Sequence, residues 1–287
     1  MSPTGIPAIV PAAGASRRMG RPKLLIAFDG RPLISRVVTS LLEGGAGPVI
    51  VVSPPADTPE GPPIIDAATA AGAVVVIPEA RPAAMRDSIE LAVAELKRSE
   101  APPGVLLMPA DSPRLDALVV ETLIDAWGRR PDRIVAPTFR GRRGHPILLP
   151  WRLVELIADL PADVGVNALI AEHSGLVDEV AFETDAVVVD LDTPEDLRRL
   201  ETAGAGRKVR LFAIARERAR GSEVVVALAE PATVRDLRIA LAAQYPALAE
   251  IVDRVRIAVD DEYADDATII PADATLALIP PVSGGGR

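Results

Sequence analysis

The sequence predicts a layered α/β sheet followed by a small α+β domain, and three observations carry that reading. Short β-branched runs alternate with helical patterns from Ile6 to about Leu200, the signature of a layered sheet. Aromatics are only 3% of a chain that is 49% hydrophobic, so the cores must be built from Ala, Val, Leu and Ile, as in parallel strands and the helices that cover them. Beyond the small, flexible run "ETAGAGRK" at 201–208, the order changes to two adjacent strand patterns, one helix and further strands.

In chain order, strands are expected at 8–10, 48–52, 74–77, 105–108, 134–137 and 187–190, each a short run rich in Val, Ile or Leu. Helices are expected between them at 33–42, 85–97, 115–127, 152–158 and 194–200. The last has Thr193 as N-cap, Pro194 at its first position and acids in its first turn, a complete start signal. These elements make a domain over 1–202, with a linker at 203–207. The second domain, 208–287, reads as strands at 209–215 and 223–228, a helix at 234–245, and strands at 256–259 and 276–280. That order fits a mixed sheet of the ubiquitin-like β-grasp kind, and no internal repeat is present.

Composition removes several classes of function. A net charge of -9 argues against a protein that coats nucleic acid, because such binding needs excess Lys and Arg. The absence of cysteine excludes disulfides, a thiolate nucleophile and Cys-ligated zinc, and suits a cytoplasmic protein. No apolar stretch approaches the roughly 18 to 20 residues needed to span a bilayer. "MSPTG" carries no basic side chain ahead of "IPAIVPAAGAS", so a signal peptide is not expected.

Against that acidic background, Arg17, Arg18, Arg21 and Lys23 put four cations into the short run 17–23, directly after the first strand. This is the place for an anion: Gly14 and Gly20 let backbone amides approach a phosphate, while Arg18 and Lys23 neutralise it. The spacing matches neither a Walker A loop nor the dinucleotide GxGxxG fingerprint.

The stretch "AAGASRRMGRPK" at 12–23 resembles the signature of nucleotidyltransferases that activate a substrate phosphate with an NTP, the family of the molybdenum cofactor guanylyl- and cytidylyltransferases. The resemblance implies a Rossmann-like nucleotidyltransferase sheet and a loop that wraps the triphosphate with Ala12, Ala13, Gly14, Arg18, Gly20 and Lys23. It further implies Mg²⁺ dependence and molybdopterin as acceptor. Ala13 stands where the guanylyltransferases carry glycine, which points to CTP. Pro11 is instead typical of the isoprenoid-pathway cytidylyltransferases, but "PKLL" after the loop returns the match to the molybdenum branch.

Transfer of a nucleotidyl group is an in-line displacement served by positioning and charge, and magnesium favours carboxylate oxygens. Asp111, in "VLLMPADSPRLD", follows a buried strand at the edge where such sheets bind ligands, and it matches the family's metal-binding aspartate. Its alternative role is to cap the turn that follows. Asp190 and Asp192, in "VVVDLDTPEDL", resemble the closing motif; as alternate residues of a strand they would share a face toward the metal, or Asp192 would simply start the next helix. His145 matches the "GHP" segment of the cytidylyltransferase branch, which implies an acceptor-pocket role beside the purely structural one. Ser88 stands where relatives place a nucleotide-contacting serine, in altered flanks, and His173 reads as surface.

The second domain resembles the small subunit of molybdopterin synthase, a ubiquitin-like sulfur carrier, through "VRLFAIARE" and "PPVSGG". That resemblance makes Gly284 and Gly285 the carrier terminus, adenylated by an E1-like enzyme and converted to a thiocarboxylate that donates sulfur inside the synthase large subunit. Six extended residues from Val282 span about 20 Å, and a thread without side chains can enter a narrow pocket. Gly286 and Arg287 follow the second glycine, so trimming is expected before sulfur is carried. The two resemblances meet in one pathway, whose product would go to a molybdenum hydroxylase apoenzyme.

Overall fold

Strand β1 (Ile6–Pro11) lies between two parallel neighbours, β4 (Ala46–Val52) and β6 (Gly104–Leu107). Buried on both faces, its centre is the uninterrupted apolar run Ala8, Ile9, Val10. The computed structural model describes residues 5–28, 30–161, 164–203, 206–228 and 231–280. Its contacts divide the chain into two units, Met1–Ala181 with Asp185–Pro194, and Phe182–Thr184 with Glu195–Arg287. Gly284 and Gly285 lie outside the described residues.

In the first unit a short hairpin, β2 (Ala27–Phe28) with β3 (Arg31–Pro32), precedes helix α1 (Leu33–Glu43). Leu33, Ile34, Val37, Val38 and Leu41 make the buried stripe of α1, at helical spacing. Helix α2 (Gly61–Ala70), strand β5 (Val74–Val76) and helix α3 (Met85–Leu96) follow. After β6 come helix α4 (Ala117–Gly128), opened by the Asp116 cap on the Leu118 N–H at 2.8 Å, then β7 (Ile134–Phe139), β8 (Arg142–Arg143) and β9 (Ile147–Pro150). Helices α5 (Trp151–Glu155) and α6 (Val166–Glu172), then β10 (Val177–Phe182), complete the layers.

The sheet order is β10-β7-β9-β6-β1-β4-β5, with β8 hanging from β7. Strands β1, β4, β5 and β6 are parallel, whereas β9 runs antiparallel between β6 and β7. The carboxyl ends of β1, β4 and β6 therefore share one edge, where loops can converge on a ligand.

Helix α7 (Pro194–Ala203) leads to β11 (Arg207–Leu211). Helix α8 (Ile214–Ala219), β12 (Glu223–Val226), β13 (Ala232–Thr233), α9 (Val234–Gln244) and α10 (Pro246–Ala249) come next, then β14 (Arg256–Val259), β15 (Glu262–Ala264), β16 (Ile269–Ile270) and β17 (Leu276–Ile279). The sheet order β12-β11-β17-β14-β15, with β11 and β17 parallel at its centre, is the ubiquitin-like β-grasp arrangement. Val234, Leu237 and Leu241 of α9 pack with Val209, Ile257 and Leu278 of the sheet. A reciprocal cap starts α9: the Thr233 N–H donates to Asp236 at 2.8 Å, and the Asp236 N–H to the Thr233 hydroxyl at 3.3 Å.

Two expectations are corrected. Residues 187–190 are not a strand; a short 3-10 turn covers Asp185–Val187 and irregular chain follows. The backbone there is already engaged, with the Val187 carbonyl accepting from the His145 N–H at 2.8 Å and the Val188 N–H donating to Asp185 at 2.9 Å. Residues 209–215 are not one strand either, because Ala213 takes a positive φ of 45° and α8 begins at Ile214. No helix among the described residues is long and apolar enough to cross a membrane.

Candidate nucleotide-binding site

Where β1 ends, the Ala12 N–H donates to the Val52 carbonyl at 2.9 Å, tying the loop that follows to the end of β4. The loop then folds on Ser16, whose carbonyl accepts from the Met19 and Gly20 N–H groups at 3.0 and 3.2 Å and whose hydroxyl accepts from the Lys23 N–H at 3.2 Å. Buried Met19 anchors it from below. Gly20 has φ +70°, a left-handed conformation that a side chain would strain.

This scaffold delivers Lys23 to two carboxylates. Its ammonium lies 2.6 Å from Asp111 Oδ2 and 2.9 Å from Asp192 Oδ1, while Arg18 reaches Asp192 Oδ2 at 2.9 Å. Asp111 stands just beyond the carboxyl end of β6, and its carbonyl accepts from the Leu191 N–H at 2.8 Å, which brings the 190–192 segment alongside. Burial works to lower the pKa of Lys23, but the two aspartates outweigh it and hold the group above its ordinary value, firmly protonated.

These side chains border a cleft of about 560 Å³. Of the residues expected from sequence, Ala12, Ala13, Gly14, Arg18, Lys23 and Ser88 line it together with Asp111 and Asp192. Gly20 lines a smaller recess that shares Gly14, Ala15 and Arg17 with the cleft, while Asp190 and His145 line neither.

Sequence reasoning missed Arg81. Its guanidinium donates through Nη1 to the Ala13 carbonyl and through Nη2 to Glu60, and it forms part of the cleft wall. The only signal was a single cation in the small-residue run "EARPAAM".

His145 sits behind the acids rather than in the cleft. Gly144 before it passes so close to Val187 that a Cβ would stand 1.8 Å from the Val187 carbonyl oxygen. Burial lowers the His145 pKa, against the opposing pull of Asp111 and a hydrogen bond with the Leu107 backbone, so the imidazole is neutral at pH 7 and is not a phosphate-binding cation.

Asp190 does not join the Lys23 cluster; its carboxylate accepts from the Ser112 hydroxyl at 3.3 Å. Although the residue as a whole is exposed, burial of the carboxyl group and the neighbouring charge of Asp111 raise its pKa to about 6. A carboxyl group whose pKa is raised by folding costs stability as pH climbs from its unfolded value through its folded one. Asp190→Asn should therefore gain stability relative to the parent between about pH 4 and pH 6, with a constant difference at higher pH. Urea unfolding across that range checks this, and a difference that does not change with pH would refute it.

Among the described residues, no group of three or more His, Cys, Asp or Glu side chains forms a ready-made metal site. Asp111 and Asp192 nevertheless converge on one cation, the Lys23 ammonium, so this pair of hard oxygen donors fits a divalent metal.

Residues 8–177 match the family model of the MobA-like NTP transferase domain, and residues 209–285 match that of the ThiS family. The chain is 31% identical over 219 residues to a molybdenum cofactor guanylyltransferase of Rhizobium meliloti (strain 1021), covering 68% of this chain and 90% of that protein. It is 29% identical over 205 residues to a phosphoenolpyruvate guanylyltransferase of Rubrobacter xylanophilus, covering 69% and 94%. Over 85 residues the chain is also 33% identical to the molybdopterin synthase sulfur carrier subunit of Arabidopsis thaliana, covering 30% of this chain and 88% of that protein. Among solved structures, Rv0371c of Mycobacterium tuberculosis H37Rv superimposes with a TM-score of 0.56 at 28% identity over 69% of this chain and 98% of that one. Its complex with manganese gives 0.53 at 27% identity, again over 69% and 98%.

Proposed function

The chain belongs to the MobA-like NTP transferase family, and from that premise we propose that it transfers a cytidylyl group from CTP to the terminal phosphate of molybdopterin and releases pyrophosphate. At the coarser level it is a nucleotidyltransferase for a small phosphorylated molecule, fused to a sulfur-carrier-like domain. The observation that carries the nucleotidyl-transfer reading is the convergence of Arg18, Lys23, Asp111 and Asp192 on the lining of one cleft.

The triphosphate lies along the 12–23 loop, with Arg18 and Lys23 as its cations. An oxygen of the acceptor phosphate forms the new bond to the α-phosphorus while the bridge to the β-phosphate breaks, and the electron pair leaves on pyrophosphate. No protein nucleophile is needed. Lys23, held protonated, offsets the charge that builds on the leaving group. Asp111 and Asp192 would hold a divalent cation, which when bound supplies further charge neutralisation; manganese in the complex of the M. tuberculosis relative supports this.

Molybdopterin is favoured as acceptor by the carrier domain and by the molybdenum cofactor relative. The carrier domain would meet the molybdopterin synthase large subunit and an E1-like adenylating enzyme, in the cytoplasm, as the cysteine-free composition suits. The phosphoenolpyruvate relative favours a second reading, transfer to another phosphorylated small molecule. Pyrophosphate release with molybdopterin, phosphoenolpyruvate and methylerythritol phosphate in turn separates them: the first reading stands only if molybdopterin is the best acceptor.

The base is the finer question. Ala13 is nearly buried in the cleft wall, and its methyl group occupies space that glycine would leave to a larger base. CTP should exceed GTP in kcat/KM by about tenfold to a hundredfold, the scale of a methyl-sized pocket difference. Ala13→Gly should narrow the gap. Equal use of GTP would overturn the assignment in favour of guanylyl transfer, the activity in the names of two relatives.

A further inference from the structure

We infer that Arg81 is a positioning residue for the triphosphate: it fixes the Ala13–Gly14 peptide so that the Gly14 N–H faces the ligand, with Glu60 as its buttress. The inference rests on the nucleotide occupying the cleft as proposed above. Arg81 joins three separate pieces of chain. It stands in the connection from β5 to α3, its Nη1 donates to the Ala13 carbonyl of the phosphate loop, and its Nη2 donates to Glu60, the N-cap residue of α2. The Arg81 side chain is 28% exposed and that of Glu60 19%; Arg81 lines the cleft and Glu60 the smaller recess, so the pair is partly buried between the two and is not a fully solvated surface contact.

The consequence follows from peptide geometry. A trans peptide is planar, and its C=O and N–H point in opposite directions. Holding the Ala13 carbonyl on Arg81 therefore aims the Gly14 N–H away from Arg81. Among the described residues no acceptor meets that N–H, and the space beside Gly14 is open, with nothing within 4 Å of where a Cβ would stand. A donor without a partner, in a cleft bordered by Arg18 and Lys23, suits a phosphate oxygen. Were the peptide free to turn over, it would present a carbonyl to the phosphates, and attraction would become repulsion. Arg81 prevents that turn, and Glu60 holds Arg81 to the task while offsetting its charge.

The test uses the full chain and three probes: CTP, inorganic pyrophosphate and cytidine, each titrated by calorimetry. Arg81→Ala should weaken CTP and pyrophosphate by about tenfold to a hundredfold, the loss of one hydrogen bond to a charged group, and leave cytidine unchanged. In turnover the KM for CTP should rise by the same factor while kcat and the acceptor KM hold, as for an interaction made equally in ground and transition states. Arg81→Lys, which keeps the charge but lacks the planar fork whose two nitrogens reach Ala13 and Glu60, should fall between. Glu60→Gln decides between positioning and direct charge: it should weaken pyrophosphate, whereas a guanidinium acting on phosphate by its charge would bind more tightly once the carboxylate is neutralised. Tighter pyrophosphate binding by Glu60→Gln, unchanged pyrophosphate binding by Arg81→Ala, or parallel loss of cytidine would each overturn the inference. Should Arg81→Ala melt early, Arg81→Lys and Glu60→Gln carry the test. If the parent protein binds neither CTP nor pyrophosphate, the proposed nucleotide site falls and the inference with it; binding by the parent that the variants leave untouched removes the inference alone.

Discussion

Lys23→Ala should lose about a hundredfold to a thousandfold of nucleotidyl transfer, and Asp111→Ala about as much, because each removes a preorganised charge from a phosphoryl transition state. The Lys23 ammonium is the group shared by both carboxylates, at 2.6 and 2.9 Å. Without it, Asp111 loses its ammonium partner, the repulsion between Asp111 and Asp192 is less well screened, and the leaving pyrophosphate loses a cation. The fold should survive, since Asp111 and Asp192 remain 22% and 32% exposed, so water can solvate them, and Arg18 stays paired with Asp192. Asp111→Asn keeps the shape and removes the charge, so it should be nearly as impaired as Asp111→Ala. The double variant should be little worse than either single one, because groups that act as a unit are not additive. Pyrophosphate release, with thermal melting to report the fold, checks all four; near-parental turnover by Lys23→Ala or Asp111→Ala would remove them from the machinery.

The parts of this site that could be read from sequence are those the chemistry requires to be contiguous. A loop that wraps a triphosphate needs its glycines and cations within one short segment, so Gly14, Arg18, Gly20 and Lys23 announce themselves together. Contacts between distant segments do not. Arg81 meets Ala13 across 68 positions and Glu60 across 21, and nothing in the residue types encodes the pairing. The β-branched run at 187–190 looked like a strand because periodicity reports burial, not hydrogen-bond partners; Val187 gives its carbonyl to His145 instead of to a ladder. Helix α2 was not among the expected helices; Pro62 and Pro63 fall in its first turn, where they forfeit only amides that have no partner within the helix. Strand β9 is a four-residue apolar run, too short to declare its antiparallel sense. In the second unit, one non-glycine residue in a left-handed conformation, Ala213, divides what reads as a single strand into β11 and α8.

A form of the chain that stops at Gly285 should accept sulfur, whereas the chain continuing through Gly286 and Arg287 should not. The β-grasp sheet and the ThiS-family match over 209–285 make the domain sulfur-carrier-like, while its reactive end lies outside the described residues. The expectation is therefore argued from bonding. Activation begins when a terminal carboxylate oxygen attacks the α-phosphorus of ATP, forming an acyl-adenylate and releasing pyrophosphate; a sulfur donor then displaces AMP and leaves a thiocarboxylate. With Gly286 attached, the carbonyl carbon of Gly285 bears an amide nitrogen in place of the second oxygen, and no such attack is available. Arg287 adds a bulky cation after three consecutive glycines, where the carrier chemistry needs a small, free carboxyl end. Hydrolysis of the Gly285–Gly286 peptide bond removes both obstacles by restoring a carboxylate at the tip. Each form is incubated with an E1-like adenylating enzyme, ATP and a sulfide donor, and its intact mass is measured. Exchange of one oxygen for one sulfur should appear only on the form ending at Gly285. Sulfur on the longer form at the same rate would overturn the trimming step. If neither form gains sulfur while the first unit still makes cytidylylated product, the second domain keeps the ubiquitin-like shape as a docking module without the chemistry.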